Sequence, residues 1–120
     1  MSDVGLLRHI VYETTKANAY VLEEGLKPTQ RFLLGVLQIS YVSSNDFKAI
    51  IKYKRDNADA EKELTYDIKA GENLWRQKLP PGLLASEFKI RVEGDICYFF
   101  ELKSIGVLYK IVNVGFGRTR

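Results

Sequence analysis

Few side chains in this sequence are of types that carry out chemistry, and they are scattered. His9 is the single histidine and Cys97 the single cysteine. A thiol nucleophile needs a base within hydrogen-bond reach, so a catalytic reading depends on these two meeting across the fold. The setting of the cysteine, Ile96-Cys-Tyr-Phe-Phe100, is instead that of a small buried hydrophobe. Asp56, Asp59 and Glu61 are the nearest grouping of carboxylates. A calcium loop requires a central glycine and a terminal glutamate at fixed offsets; both are missing, and the grouping reads as solvated charge. A glycine-rich phosphate cradle must open a helix, whereas Gly115-Phe-Gly117 comes at the end of the sequence. Seven tyrosines, six phenylalanines and one tryptophan could form a platform for sugar or single-stranded nucleic acid. Most of these rings fall on the inward parity of their segments, which makes core packing the expectation. No nucleophile, base and orienting group stand out as a set. The expectation is a non-enzymatic protein with no cofactor and no metal.

The elements that would position these residues read as strands. At 120 residues the chain is long enough for one core, and residues 1–120 are expected to form a single domain. Its composition, 46% hydrophobic and 28% charged, is that of a folded protein. A net charge of +3 with interspersed signs is too small a bias to predict nucleic-acid binding. A single cysteine gives no disulfide framework within the chain. Met1-Ser-Asp-Val-Gly5 lacks a basic region followed by an apolar one, so no signal peptide is expected. The longest apolar stretches are short or interrupted by Gln38, Glu101 and Lys103, against the roughly 20 residues needed to span a bilayer.

In chain order, the β-branched and aromatic cluster Val11, Tyr12, Thr14 and Thr15 favours strands at Arg8–Thr14 and Ala19–Glu23, turning near Lys16-Ala-Asn18. Gly25 to Gln30 is loop. Arg31–Val42 is a long strand with Leu33, Leu37, Ile39 and Tyr41 on one face except at Gly35, where a bulge or bend would let it serve two sheets. Ser43-Ser-Asn-Asp46 is a turn of short polar side chains. Phe47–Lys54 alternates, with Phe47, Ala49, Ile51 and Tyr53 inward. Glu63–Lys69 places Leu64, Tyr66 and Ile68 inward, and Ala70-Gly-Glu-Asn73 closes it as a turn. Glu87–Glu93 alternates strictly, Glu93-Gly-Asp95 is a tight reversal, and strands follow at Ile96–Lys103 and Ile105–Val114. Phe99 and Phe100 are adjacent, so one must face away from the core or into a second layer. About nine short strands at roughly ten-residue spacing predict an all-β, antiparallel β-sandwich, jelly-roll-like in its strand count.

Asn73 to Gly82 contains the only tryptophan and two of the three prolines. Pro80-Pro81-Gly82 stops one strand and sets the direction of the next. Trp75 anchors either the core or a subunit contact, and Arg76 and Lys78 are solvated or interfacial charges. Residues 115–120 are expected to form a flexible tail, in which Phe116, Arg118 and Arg120 suit contact with a partner better than with phosphate. Trp75, Arg76, Lys78, Phe116, Arg118 and Arg120 are therefore the candidate interface residues.

The turn Leu79-Pro80-Pro81-Gly82, the alternating strand Phe88 to Val92, Gly94-Asp95 and the run Phe100-Glu-Leu-Lys-Ser-Ile105 occur in that order. Over Trp75 to Tyr109 this pattern resembles the β-sandwich segment of tail proteins of short-tailed bacteriophages, namely tail hub or nozzle proteins and adaptor-like components. Tyr12-Glu-Thr14, Pro28 and Arg31 with the long strand after it resemble the approach to that segment. Pro81 departs from the pattern, which more often has a basic or other non-proline residue there. Family hubs carry the sandwich within a much larger chain. The resemblance therefore implies a virion structural protein: an accessory or adaptor subunit docking on a tail hub or nozzle, assembled in the host cytoplasm and working as a homo-oligomer. A carbohydrate-binding sandwich used in host recognition is the alternative. A concave face exposing two or three of Trp75, Tyr98, Phe99 and Tyr109 would favour that alternative, and flat apolar edges would favour assembly.

Overall fold

The structure, a computed structural model, describes residues 7–14, 29–56 and 59–114. It is an antiparallel β-sandwich of eight strands among those residues: β1 (Arg8–Glu13), β2 (Gln30–Ser43), β3 (Phe47–Lys54), β4 (Lys62–Ile68), β5 (Gly71–Lys78), β6 (Leu84–Ala85), β7 (Glu87–Ile96) and β8 (Phe100–Asn113). One sheet has the order β1-β7-β3-β4. In the other, β2 is central, with β5 and β6 end to end along one side and β8 along the other. The expected second strand at Ala19–Glu23, the turn at Lys16 to Asn18 and most of the Gly25 loop lie outside the described residues, as do Phe116, Arg118 and Arg120.

The core forms where the inward faces of β2, β3 and β7 meet. Phe32, Leu34, Leu37, Ile39 and Tyr41 of β2 pack against Phe47, Ala49, Ile51, Phe88, Ile90 and Val92, all buried. Aromatic rings join the layers edge to face, Phe32 lying 5.2 Å from Phe88 and Phe47 lying 4.8 Å from Tyr41 and 5.1 Å from Phe100, while Phe32 also meets Tyr109 of its own sheet at 5.1 Å. The alternation expected for Phe47–Lys54 and for Phe88 to Val92 is observed. Of the adjacent phenylalanines, Phe100 packs on the core and Phe99 is exposed.

Several local expectations are corrected. Gly35 does mark an irregularity, because the register with β8 shifts between Leu34 and Val36. The shift exchanges the faces: Phe32 and Leu34 point inward before it and Leu37, Ile39 and Tyr41 after it, so Leu33 is not a core residue. β2 pairs with β8 along its whole length and does not serve both sheets. β5 starts at Gly71, so the corner after β4 is tighter than Ala70 to Asn73. Gly71 permits this with a φ of 131°, in the region that favours glycine. Glu93-Gly94-Asp95 is no reversal. β7 continues through it, because β1, more than 80 positions away, supplies pairing partners for these residues: His9 opposite Asp95, Ile10 opposite Gly94 and Val11 opposite Glu93. The reversal comes at residues 97–99. The two strands expected after it are one, β8, with an irregularity near Lys103 that absorbs the mismatch.

The turn at Ser43 to Asp46 is held as its composition suggests, and also across the fold. The buried Ser43 hydroxyl donates to the Asn45 carbonyl at 2.7 Å. The Asn45 side-chain oxygen accepts from Ser44 Oγ and from the Cys97 backbone N–H, each at 2.8 Å. This links the β2–β3 corner to the β7–β8 corner.

Candidate functional site

Two surfaces concentrate functional groups. The first is the outer face of the β1-β7-β3-β4 sheet, where the strict alternation of β3 and β7 places their polar side chains. Glu13 on β1 faces three cations: Lys89 Nζ at 3.7 Å, Lys52 Nζ at 3.8 Å and Arg91 Nη1 at 3.9 Å. Arg91 also donates to Glu93 at 2.6 Å, and Lys52 lies 3.9 Å from Glu63. Positive and negative charge interleave on this face.

At one end of this face an open depression of about 460 Å³ is lined by His9, Asp46, Lys48, Asp67, Lys69, Glu93 and Asp95. Beneath it, on the inward side of β7, Gly94 makes room for Phe47: a Cβ there would lie 2.7 Å from Phe47 Cβ. His9 Nδ1 is 2.9 Å from Asp95 Oδ1, with both side chains exposed. A carboxylate oriented on an imidazole is half of a nucleophile-activating arrangement. The lining supplies no hydroxyl or thiol to complete it. The pair escapes sequence reading because it exists only through the β1–β7 register, with 86 positions between its members.

The second surface is β8. Its 14 residues form the longest sheet edge among the described residues. The bond from Val114 N–H to the Thr29 carbonyl sets the alternation at one end, and the bond from Ser44 N–H to the Phe99 carbonyl sets it at the other. In an antiparallel ladder each residue turns both backbone groups to the same side, and successive residues alternate. The backbone groups of Ser104, Gly106, Leu108, Lys110 and Val112 therefore face β2. Those of Ile105, Val107, Tyr109 and Ile111 face the open side, where no described residue pairs with them.

The side chains on this edge are also incompletely covered. Phe100, Leu102, Ile105, Val107, Tyr109 and Ile111 pack on the core yet stay half-buried, whereas Phe32, Leu37 and Ile39 opposite are 0% exposed. β1 reaches only the Arg91–Ile96 half of β7. Tyr12 stacks on Phe100 at 5.7 Å, covering that end of β8. At the other end Tyr109 meets Phe88, on the half of β7 that β1 does not reach. On the outer face, Leu33, Gly35, Leu108, Tyr109 and Lys110 line an apolar hollow of about 220 Å³.

The residues singled out from sequence are dispersed. Trp75 is half-buried, pairs with Ile39 in register, and its ring lies 5.8 Å from Tyr66 at the edge of the core. Arg76 and Lys78 are exposed on β5, opposite Gln38 and Val36 of β2. Of the four aromatics considered for sugar, Tyr98 and Phe99 are exposed on the β7–β8 turn, while Trp75 and Tyr109 pack against the core. Cys97 is half-buried in that turn, and the His9 ring nitrogen is engaged with Asp95. The Asp56 carboxylate pairs with the Arg31 guanidinium, and Asp59 Oδ2 accepts the Asp56 N–H at 3.2 Å.

No protein-family model matches this chain, and neither a curated protein nor a solved structure matches it.

Proposed function

We propose that this chain is a non-enzymatic structural subunit that assembles through its sheet edges, working as an adaptor or accessory component that docks on the hub or nozzle of a short-tailed phage tail. The observation that carries the reading is the edge of β8, long and apolar, along which no described residue pairs with Ile105 to Ile111. A soluble monomer protects such an edge with prolines, inward charges or a covering segment. Here no proline or inward charge interrupts Ser104–Val112. The resemblance over Trp75 to Tyr109 supplies the setting in a virion tail. The dispersal of Trp75, Tyr98, Phe99 and Tyr109 weighs toward assembly over the glycan-binding alternative.

Light scattering on the purified chain, paired with a glycan array and with the neighbours of its coding region, tests the reading. Self-association or binding to a tail hub, no glycan signal, and adjacent portal or tail genes are expected. A strict monomer at high concentration that binds glycans would overturn it.

A further inference from the structure

We propose that two copies of this chain pair antiparallel through β8, with Leu108 on the two-fold axis. The proposal rests on the assembly reading and names its first partner, a second copy. The other edges suit this less well. β1 and β4 have six and seven residues, and β5 runs into Pro80-Pro81.

The register follows from the strand itself. In an isologous antiparallel pair the two chains present the same residues in opposite order, and directly opposed residues must share a face. Centring on Leu108 sets Ser104 against Val112, Gly106 against Lys110 and Leu108 against its own copy on the outer face. On the inner face it sets Ile105 against Ile111 and Val107 against Tyr109. This uses the whole regular run between the irregularity near Lys103 and the end of the strand. Each inner pair is one whose backbone groups face the open side, so the ladder closes without rearrangement. No like charges oppose one another. A Cβ on Gly106 would meet nothing within 4 Å, which leaves room for the stem of Lys110. Leu108, 50% exposed beside the apolar hollow at Leu33 and Gly35, gains an apolar neighbour. Centring on Gly106 or earlier brings the partner into the irregularity at Lys103, and centring on Lys110 opposes two lysines. The half-buried inner row then becomes the middle of a sheet continuous across both copies.

Two variants test this by sedimentation. Leu108→Lys opposes two like charges on the axis while leaving the backbone bonds to β2 in place; it should be monomeric where the wild-type chain is dimeric, with an unchanged circular-dichroism spectrum. Leu108→Cys in a Cys97→Ser background should cross-link to itself under mild oxidation, because directly opposed residues of a non-hydrogen-bonded pair lie within disulfide reach. Ser104→Cys in the same background should not, since its partner is Val112. An oligomer that survives Leu108→Lys and gives no cross-link would overturn the β8 pairing while leaving assembly through another surface standing. A wild-type monomer whose Ile105, Val107 and Tyr109 amides resist exchange would show that the chain covers this edge itself, which also rejects the pairing. A wild-type monomer that also binds glycans would sink the assembly reading together with it.

Discussion

Gly94 shows how one position decides how closely the core packs. Its missing side chain lets Phe47 close under β7, where a Cβ would lie 2.7 Å from Phe47 Cβ and 3.2 Å from its Cα. Because part of that clash is with backbone, Gly94→Ala should destabilise the fold by about 1–3 kcal/mol, as overpacking does, read by urea denaturation. Asn45→Ala removes the acceptor shared by Cys97 N–H and Ser44 Oγ and should cost about 1–3 kcal/mol. Tyr41 is buried and its hydroxyl donates to the Lys69 carbonyl at 2.7 Å. Burial first, and the Asp46 charge second, raise its pKa above the ordinary 10.0; burial raises that of Tyr66 as well. A raised pKa in the folded state means that the unfolded chain releases the proton first. The associated stability is therefore complete below about pH 10 and is lost as pH rises through the folded value. Tyr41→Phe should cost about 1 kcal/mol at neutral pH and make the alkaline decline shallower, both measured by denaturation across pH.

At the scale of elements, stability should follow how each strand is flanked. β2 and β3 have partners on both sides and supply most of the fully buried residues. β1 is exposed along nearly its whole length and, among the described residues, pairs with β7 alone. Amide exchange should therefore be slowest in β2 and β3 and fastest in β1. In the monomeric Leu108→Lys variant β8 should show a two-residue period, with Gly106 and Lys110 protected and Ile105, Val107, Tyr109 and Ile111 exchanging freely. Uniform protection along β8 in that variant would contradict the alternation derived from its flanking hydrogen bonds. The elements most legible in the sequence were those with one wet face, such as β3 and β7, because burial on one side imposes a period of two. Their ends were less legible. Glu93-Gly-Asp95 has turn composition yet lies in a strand, since distant β1 pairs with it.

For the whole molecule, the open β8 side predicts concentration-dependent behaviour. If two copies close over Ile105 to Ile111, the thermal midpoint of the wild-type chain should rise with protein concentration, and that of Leu108→Lys should not. Scanning calorimetry at dilute and concentrated protein checks this. Adding salt should leave the pairing largely intact, because its outer rows oppose no ion pairs; the charged face around Glu13 is an arrangement whose contribution salt does screen.

By itself the sequence determined that this protein is an antiparallel β-sandwich with a core of alternating apolar residues and corners of short polar side chains. Those properties follow from local period and turn chemistry. Only the tertiary structure decided that β7 runs through Gly94, that Gly35 exchanges the faces of β2, that His9 meets Asp95, and that β8 is one strand with one side that no described residue pairs. Each of these depends on pairing between segments far apart in the chain, and a backbone group's free or bonded state carries no mark in the identity of its own residue.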